Sequence, residues 1–307
     1  MIYTVTLNPS IDYHLILNKL RPNQLNISNN SYFLAGGKGI NVATVLTNLG
    51  HECKNLGFVG GFTGQQLIYM LNKQGLTNDF IMLDEGVTRI NVKIKADKET
   101  ELNASGPLIK EADVKRLLTK LDQTNDNDYF VLSGSLPLGL TQNIYVLIND
   151  RLKDKKIRIC IDTRGKHLQD CLAYHPFLIK PNLQELQELF QTKITNEKQL
   201  ITYMHKLQAQ GAQHVLVSLG KDGAYLLSKD HYLYQGLAPQ GKLISSVGSG
   251  DAMIAGFISG MINDHDNAET ALQTAIAAGS ASAFSQGLAP KEAIDDLIDQ
   301  VIIKKIK

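Results

Sequence analysis

The chain has 307 residues, 43% hydrophobic and 20% charged, with 31 Lys and Arg against 30 Asp and Glu for a formal charge of +1. This composition supplies enough apolar material for a sizeable core and excludes the low-hydrophobicity, high-charge class of disordered chains. A charge this close to zero argues against nucleic-acid or membrane-surface partners, and the apolar stretch 252–262 falls short of the ~20 residues of a membrane-spanning helix.

At the N-terminus, Ile2, Val5 and Leu7 alternate with Thr4 and Thr6, which predicts a first strand rather than a signal peptide. Residues 13–33 read as extended around an Asn-rich turn, and Val42, Leu46 and Leu49 mark one face of a helix that stops at Gly50. Strands are predicted at 56–59, 129–132, 157–161, 177–179 and 214–217. Helices are predicted at 64–74, 141–153, 183–190 and 196–210, with a long helical tract from Asp251 to the C-terminus. Strands apolar on both faces, alternating with helices, predict an α/β protein with a mostly parallel sheet covered on both sides. The stretch 88–101 instead alternates strictly through Ile90, Val92 and Ile94, which predicts one wet face. Segments 12–34 and 87–106 are therefore expected to form a small antiparallel β-lid on a single domain spanning 1–307. Cys53, Cys160 and Cys171 are odd in number and form no C-x-x-C pair, so neither a disulfide scaffold nor a cysteine zinc site is expected, and a cytoplasmic location is.

Two glycine-rich turns carry the strongest chemical signals. In Val247-Gly248-Ser249-Gly250-Asp251, small residues precede a helical pattern whose first turn holds an acid. Free amides at a helix start suit a phosphate, and an Asp beside them can take a proton from a hydroxyl. A glycine turn with a capping Asp fits the same residues. In Gly36-Gly37-Lys38-Gly39-Ile40-Asn41, glycines allow close backbone approach while Lys38 and Asn41 offer polar groups. Further polar clusters follow predicted strands at 8–12, 133–137, 180–185 and 218–223, where parallel sheets bind ligands. Gly-x-x-x-x-Gly-Lys-[Ser/Thr], a post-strand Gly-x-Gly-x-x-Gly, His-Glu-x-x-His and Gly-x-Ser-x-Gly are all missing, which speaks against P-loop, dinucleotide, zincin and α/β-hydrolase chemistry.

The two turns together resemble the paired signatures of the PfkB/ribokinase-like carbohydrate kinases. Asn8-Pro9-Ser10-Ile11-Asp12, Lys180-Pro181-Asn182-Leu183-Gln184-Glu185 and Ser218-Leu219-Gly220-Lys221-Asp222-Gly223 follow in that family's order. Thr6-Leu7-Asn8-Pro9, Gly36-Gly37-Lys38 and Ser133-Gly134-Ser135-Leu136-Pro137 resemble its hexose-phosphate branch. Segments 57–64 and 88–93 are most similar to members acting on fructose 1-phosphate, with those acting on tagatose 6-phosphate second. The resemblance implies a three-layer α/β/α ribokinase-like core and a β-lid that often also forms a homodimer contact. It implies phosphorylation of a ketohexose phosphate by ATP with Mg²⁺. Asp251 would be the general base, with Gly248, Ser249 and Gly250 as the anion hole. Asp12, Gly36, Gly37, Asn41 and Ser133 would hold the sugar, and Lys38 and Arg89 its phosphate. Lys180, Asn182, Glu185, Ser218, Gly220, Gly223 and Ala278 would line the nucleotide site, with Glu185 indirectly at the metal. Ser246, Ser249, Gln184 and Asn103-Ala104-Ser105-Gly106-Pro107 depart from the family's commoner residues. A catalytically silent sugar-phosphate sensor on the same fold is the rival from another class, and a nicotinamide-dependent oxidoreductase a third.

Overall fold

The computed structural model describes residues 1–140 and 142–306; Thr141, where the 141–153 helix is expected to begin, and Lys307, the last residue of the expected domain, lie outside them. Strand β1 (Ile2–Thr6) leads into β2 (Ser10–Ile16), β3 (Asn30–Gly36), helix α1 (Lys38–Asn48), β4 (Cys53–Gly60) and α2 (Gly61–Lys73). Short strands β5 (Thr77–Asn78) and β6 (Ile81–Leu83) precede the hairpin β7 (Arg89–Lys95) and β8 (Glu99–Leu102). Then come α3 (Glu111–Lys120), β9 (Tyr129–Ser133), α4 (Ile144–Leu152), β10 (Arg158–Asp162), α5 (Gly165–Leu172), β11 (Leu178–Ile179), α6 (Leu183–Leu189) and α7 (Glu197–Ala209). Strands β12 (His214–Ser218), β13 (Ala224–Leu227) and β14 (Leu233–Leu237) follow. Helices α8 (Ser249–Asn263), α9 (Ala268–Ala283) and α10 (Lys291–Ile298) and strand β15 (Ile302–Lys305) complete the chain.

Among the described residues eleven strands form the large sheet, in the order β15-β14-β13-β12-β11-β10-β9-β1-β4-β5, with β6 beside β4. Every pair from β5 to β12 is parallel, and β13, β14 and β15 extend the edge antiparallel. Successive residues of a strand point to opposite faces, and both faces here are apolar. Phe130 and Leu132 of β9 pack with Val114 of α3, Tyr145 of α4 and Met204 of α7. Tyr129 and Val131 pack with Leu46 of α1, Phe257 of α8 and Ala275 of α9. Three layers result, as the strand–helix alternation predicts.

The second sheet has the order β3-β2-β7-β8. Its outer pairs are antiparallel and its central β2–β7 pair is parallel, with Ser10 opposite Arg89, Asp12 opposite Asn91 and His14 opposite Lys93. Ile11, Ile40, Val59 and Leu67 join its base to the core.

The C-terminal region departs from the single helical tract expected. Helix α8 stops at Asn263, the chain turns through left-handed His265 and Asp266, and the Asn267 side chain caps α9 by accepting from Glu269 N at 3.0 Å. Capping by Asn satisfies amides that a continuous helix would have bonded internally. Arg158 closes that turn by pairing with Asp266, and the chain ends in an edge strand. Helices α3 and α5 and the β13–β15 edge also lie outside the elements read from sequence. No described helix is long and apolar enough to cross a membrane.

Candidate active site

The parallel strands end in a row of polar groups. Register aligns Gly57 of β4 with Thr6 of β1, Thr6 with Ser133 of β9, and Ser133 with Asp162 of β10. Lys180 follows β11 directly, and Ser218 ends β12, bridged to Asn182. The clusters expected beyond the strand ends are therefore brought to one edge, where open parallel sheets bind ligands.

Helix α8 points its N-terminus at this row. Gly248 caps it at φ +81°, a left-handed conformation that costs a side-chain-bearing residue ~1–2 kcal/mol. No side chain caps the helix. The Ser249 N–H turns back to the Ser246 carbonyl at 3.4 Å, while the amides of Gly248, Gly250 and Asp251 have no acceptor among the described residues. The amides of Gly248, Gly250 and Asp251 are thus free at the helix start, and that of Ser249 makes one long bond. The Ser249 hydroxyl is buried beside them without a partner.

Asp251, third in α8 and 6% exposed, accepts a bond from Asn41 Nδ2 on Oδ2 at 2.7 Å. Burial pushes its carboxyl up to about 7, and the nearby Asp162 charge adds to that rise. Lys38, the Asn41 bond and Lys180 work in the opposite direction. Asp162, 4% exposed, accepts from Lys38 Nζ at 2.8 Å and lies 3.9 Å from Lys180 Nζ. Burial opposes the Asp162 charge, but Lys180 and Lys38 outweigh it and hold the carboxyl below its ordinary range. Burial likewise opposes the Lys38 ammonium, yet Asp162, Asp251 and Glu185 keep it above the ordinary lysine value. Two carboxylates and two ammonium groups thus sit together, with one acid held ionised and the other poised near neutrality.

The turn 36–41 spans from this cluster to the second sheet. A Cβ on Gly36 would lie 2.8 Å from the Asp12 carboxylate, and Asn41 at the other end holds Asp251. Asp12 Oδ1 accepts from Ser10 Oγ at 2.7 Å and from Asn91 Nδ2 at 2.8 Å; its Oδ2 has no partner among the described residues. Arg89, on the same face of the sheet, donates from Nη1 to the Ala104 carbonyl at 3.1 Å, while its buried Nε has no acceptor. Arg89 lies on the sheet face that carries Asp12, whereas Lys38 pairs with Asp162.

On the far side, a Cβ on Gly250 would lie 3.1 Å from Lys180 Nζ, which places that ammonium beside the open amides of α8. Asn182 caps α6, its Oδ1 accepting from Glu185 N at 2.8 Å while Glu185 Oε2 accepts from Asn182 N at 3.0 Å. Arg164 Nε takes Glu185 Oε1 at 2.6 Å. Both Glu185 oxygens are engaged, and the described residues contain no group of three acidic, His or Cys side chains able to hold a metal. Gly220 and Gly223 flank the short turn between β12 and β13. Ala278 does not line the site as expected: it is fully buried in α9, and a Cβ on Gly256 of α8 would lie 2.9 Å from its own. Its small side chain allows close packing of the two helices and offers a ligand no surface.

Asp162 and Arg164 fall outside every motif singled out in the sequence, while Thr6, Ser10 and Asn91 lie inside quoted motifs that give them no individual role. Asp162 carries a usable signal, being an acid at the carboxyl end of an apolar strand. In the structure the Thr6 hydroxyl fills the space a Cβ on Gly39 would need, at 2.4 Å.

The sequence pattern of the pfkB family carbohydrate kinases matches residues 5–294. The chain belongs to that family. It is therefore a carbohydrate kinase, a phosphotransferase. Among its relatives, the 1-phosphofructokinase of Bacillus subtilis is 40% identical over 306 residues, with 100% of both chains covered. The D-tagatose-1-phosphate kinase of Bacillus licheniformis is 36% identical over 304 residues, with 99% of each covered. Phosphofructokinase-2 of Escherichia coli, solved in complex with fructose-6-phosphate, superimposes with a TM-score of 0.90 at 25% identity, covering 97% of this chain and 98% of that one. The structural match agrees with the three-layer core and the small second sheet.

Proposed function

We propose that this pfkB kinase transfers the terminal phosphoryl group of ATP to the 6-hydroxyl of fructose 1-phosphate, giving fructose 1,6-bisphosphate and ADP. The carrying observation is Asp251: a buried carboxyl at an uncapped helix N-terminus, raised toward neutrality and within a hydrogen bond of Asn41. The 40% identity to a 1-phosphofructokinase over its full length supports the substrate.

In this reading Asp251 accepts the hydroxyl proton as the oxygen attacks, and its pKa near neutrality suits that exchange. The amides of residues 248, 250 and 251 and the Lys180 ammonium stabilise charge on the transferring group. Lys38 is screened by Asp162, and the pair keeps a cation beside the base without letting Asp162 take a proton. Asp12 Oδ2 receives sugar hydroxyls, and Arg89 the existing phosphate, through charge-assisted bonds. The unpartnered Ser249 hydroxyl and open α8 amides fit a nucleotide phosphate chain. Mg²⁺, when bound, would neutralise charge on that chain; with no acidic cluster to cage it among the described residues, phosphate oxygens and water would supply most of its ligands, and Glu185 and Asp162, engaged by Asn182, Arg164 and Lys38, would act on it only indirectly. The second sheet serves as a lid that excludes water. Its other face presents Phe33, Ile90 and Leu102 at 53%, 38% and 58% exposure, a surface we assign to a second copy. Phe33→Glu should then shift the sedimentation coefficient from dimer to monomer.

Steady-state rates on fructose 1-phosphate, fructose 6-phosphate, tagatose 1-phosphate and tagatose 6-phosphate test the reading. The largest kcat/KM belongs to fructose 1-phosphate. An equal or larger value for tagatose 6-phosphate would reverse the preference, and tight sugar-phosphate binding without turnover would favour the sensor.

A further inference from the structure

Arg89, Asn91 and Lys93 alternate along β7 and so share the face that carries Asp12. All three reach the segment 101–104 through which the chain leaves β8. Lys93 Nζ donates to Glu101 Oε2 at 2.6 Å and to Asn103 Oδ1 at 3.1 Å. Asn91 Oδ1 accepts from the Ala104 N–H at 3.2 Å, and Arg89 Nη1 donates to the Ala104 carbonyl at 3.1 Å. Both backbone polar groups of Ala104 are thus held by β7 side chains.

Asn91, 5% exposed, also donates from Nδ2 to Asp12 Oδ1 at 2.8 Å. Its amide orientation is fixed by chemistry, because an ionised carboxylate only accepts and a backbone N–H only donates. A continuous connection results: Asp12, the Asn91 amide, Ala104, Arg89. Each end of it leaves one group open, Asp12 Oδ2 as an acceptor and the buried Arg89 Nε as a donor. An open acceptor matches a sugar hydroxyl, and an open guanidinium nitrogen matches a phosphate oxygen.

We propose that Asn91 is a positioning residue that sets the spacing between Asp12 and Arg89 and thereby selects where on the sugar the existing phosphate sits. This rests on the reading of the site as one for a ketohexose phosphate. Asn91 touches no reacting atom; it acts through the carboxylate and the guanidinium it holds.

The test uses Asn91→Ala and Asn91→Asp in the full-length kinase, assayed on fructose 1-phosphate, fructose 6-phosphate and tagatose 6-phosphate. Loss of a bond to a charged group is expected to raise KM for fructose 1-phosphate about tenfold in Asn91→Ala. KM for ATP should stay within about twofold, and the preference for fructose 1-phosphate over fructose 6-phosphate should shrink several-fold. Asn91→Asp keeps an acceptor for Ala104 but sets two carboxylates against each other. Its loss relative to wild type should therefore shrink as the pH falls, because a proton shared by two adjacent carboxyls restores the bond. An unchanged preference, or sugar and ATP KM values rising together, would overturn the proposal. So would a pH-independent ratio of Asn91→Asp to wild type, which decides alone if the alanine variant does not fold. Wild-type enzyme turning over none of the three sugars would instead remove the proposed function, and this inference with it.

Discussion

Asn41 Nδ2 and Asp251 Oδ2, 210 residues apart in sequence, meet at 2.7 Å and tie the first turn of α1 to the first turn of α8. The same bond couples a residue beside the proposed sugar site to the proposed base. Because donation to the ionised carboxyl holds its pKa down, Asn41→Ala should raise the Asp251 pKa further. The acid limb of the kcat/KM profile, expected near pH 7 in the wild type, then moves to higher pH. Activity of the variant should be most depressed at pH 6–7 and partly recovered by pH 9.

Asp162 acts in the opposite sense. Its negative charge raises the Asp251 pKa, so Asp162→Asn should move the acid limb to lower pH. It should also destabilise the fold by ~3 kcal/mol, because Lys180, 5% exposed, loses the carboxylate beside it. Thermal denaturation and the pH–rate profile read the two effects separately.

Asp251 itself makes a stability prediction. Its folded pKa lies above the ordinary carboxylate value of 3.8, so its contribution is favourable at low pH and is lost as pH rises toward about 7. Asp251→Asn removes the buried charge and should raise Tm at pH 8 by roughly 3–8 °C. At pH 5, where the wild-type carboxyl is protonated, the gain should shrink. A Tm difference independent of pH would show that the carboxyl is not raised.

Gly248→Ala tests the turn. The added Cβ would lie 2.7 Å from Leu288 Cδ2 and would sit at φ +81°. The loss should appear mainly in kcat, with KM for the sugar little changed, because the turn faces the travelling phosphoryl group rather than the sugar. Single-turnover kinetics separates the two.

Much of this site is legible in the amino-acid sequence because its chemistry depends on backbone amides and turns, which leave glycine signatures. Gly248, Gly250 and the 36–39 glycines are visible in that way. Asp162 gives only a positional hint, an acid at the carboxyl end of an apolar strand, with no spacing pattern to mark it as functional. Asn91 is hidden for a subtler reason. Alternation along 88–101 predicts one wet face correctly, but a polar face reads as solvated surface whether it meets water or a ligand. Here it is the inner face, and its Arg89, Asn91 and Lys93 side chains are bonded to the 101–104 segment. The β13–β15 edge is not read from the sequence, although its strands of four or five residues are as long as those that are.

The central claim is that Asp251 takes the proton from the attacking hydroxyl. Its most direct measurement is kcat of Asp251→Asn on fructose 1-phosphate, together with the sugar's dissociation constant by calorimetry. A general base supplies ~10²–10⁴-fold, so kcat should fall by at least about a hundredfold while sugar binding stays within a few-fold of wild type. A variant that keeps kcat within tenfold of wild type would contradict the account.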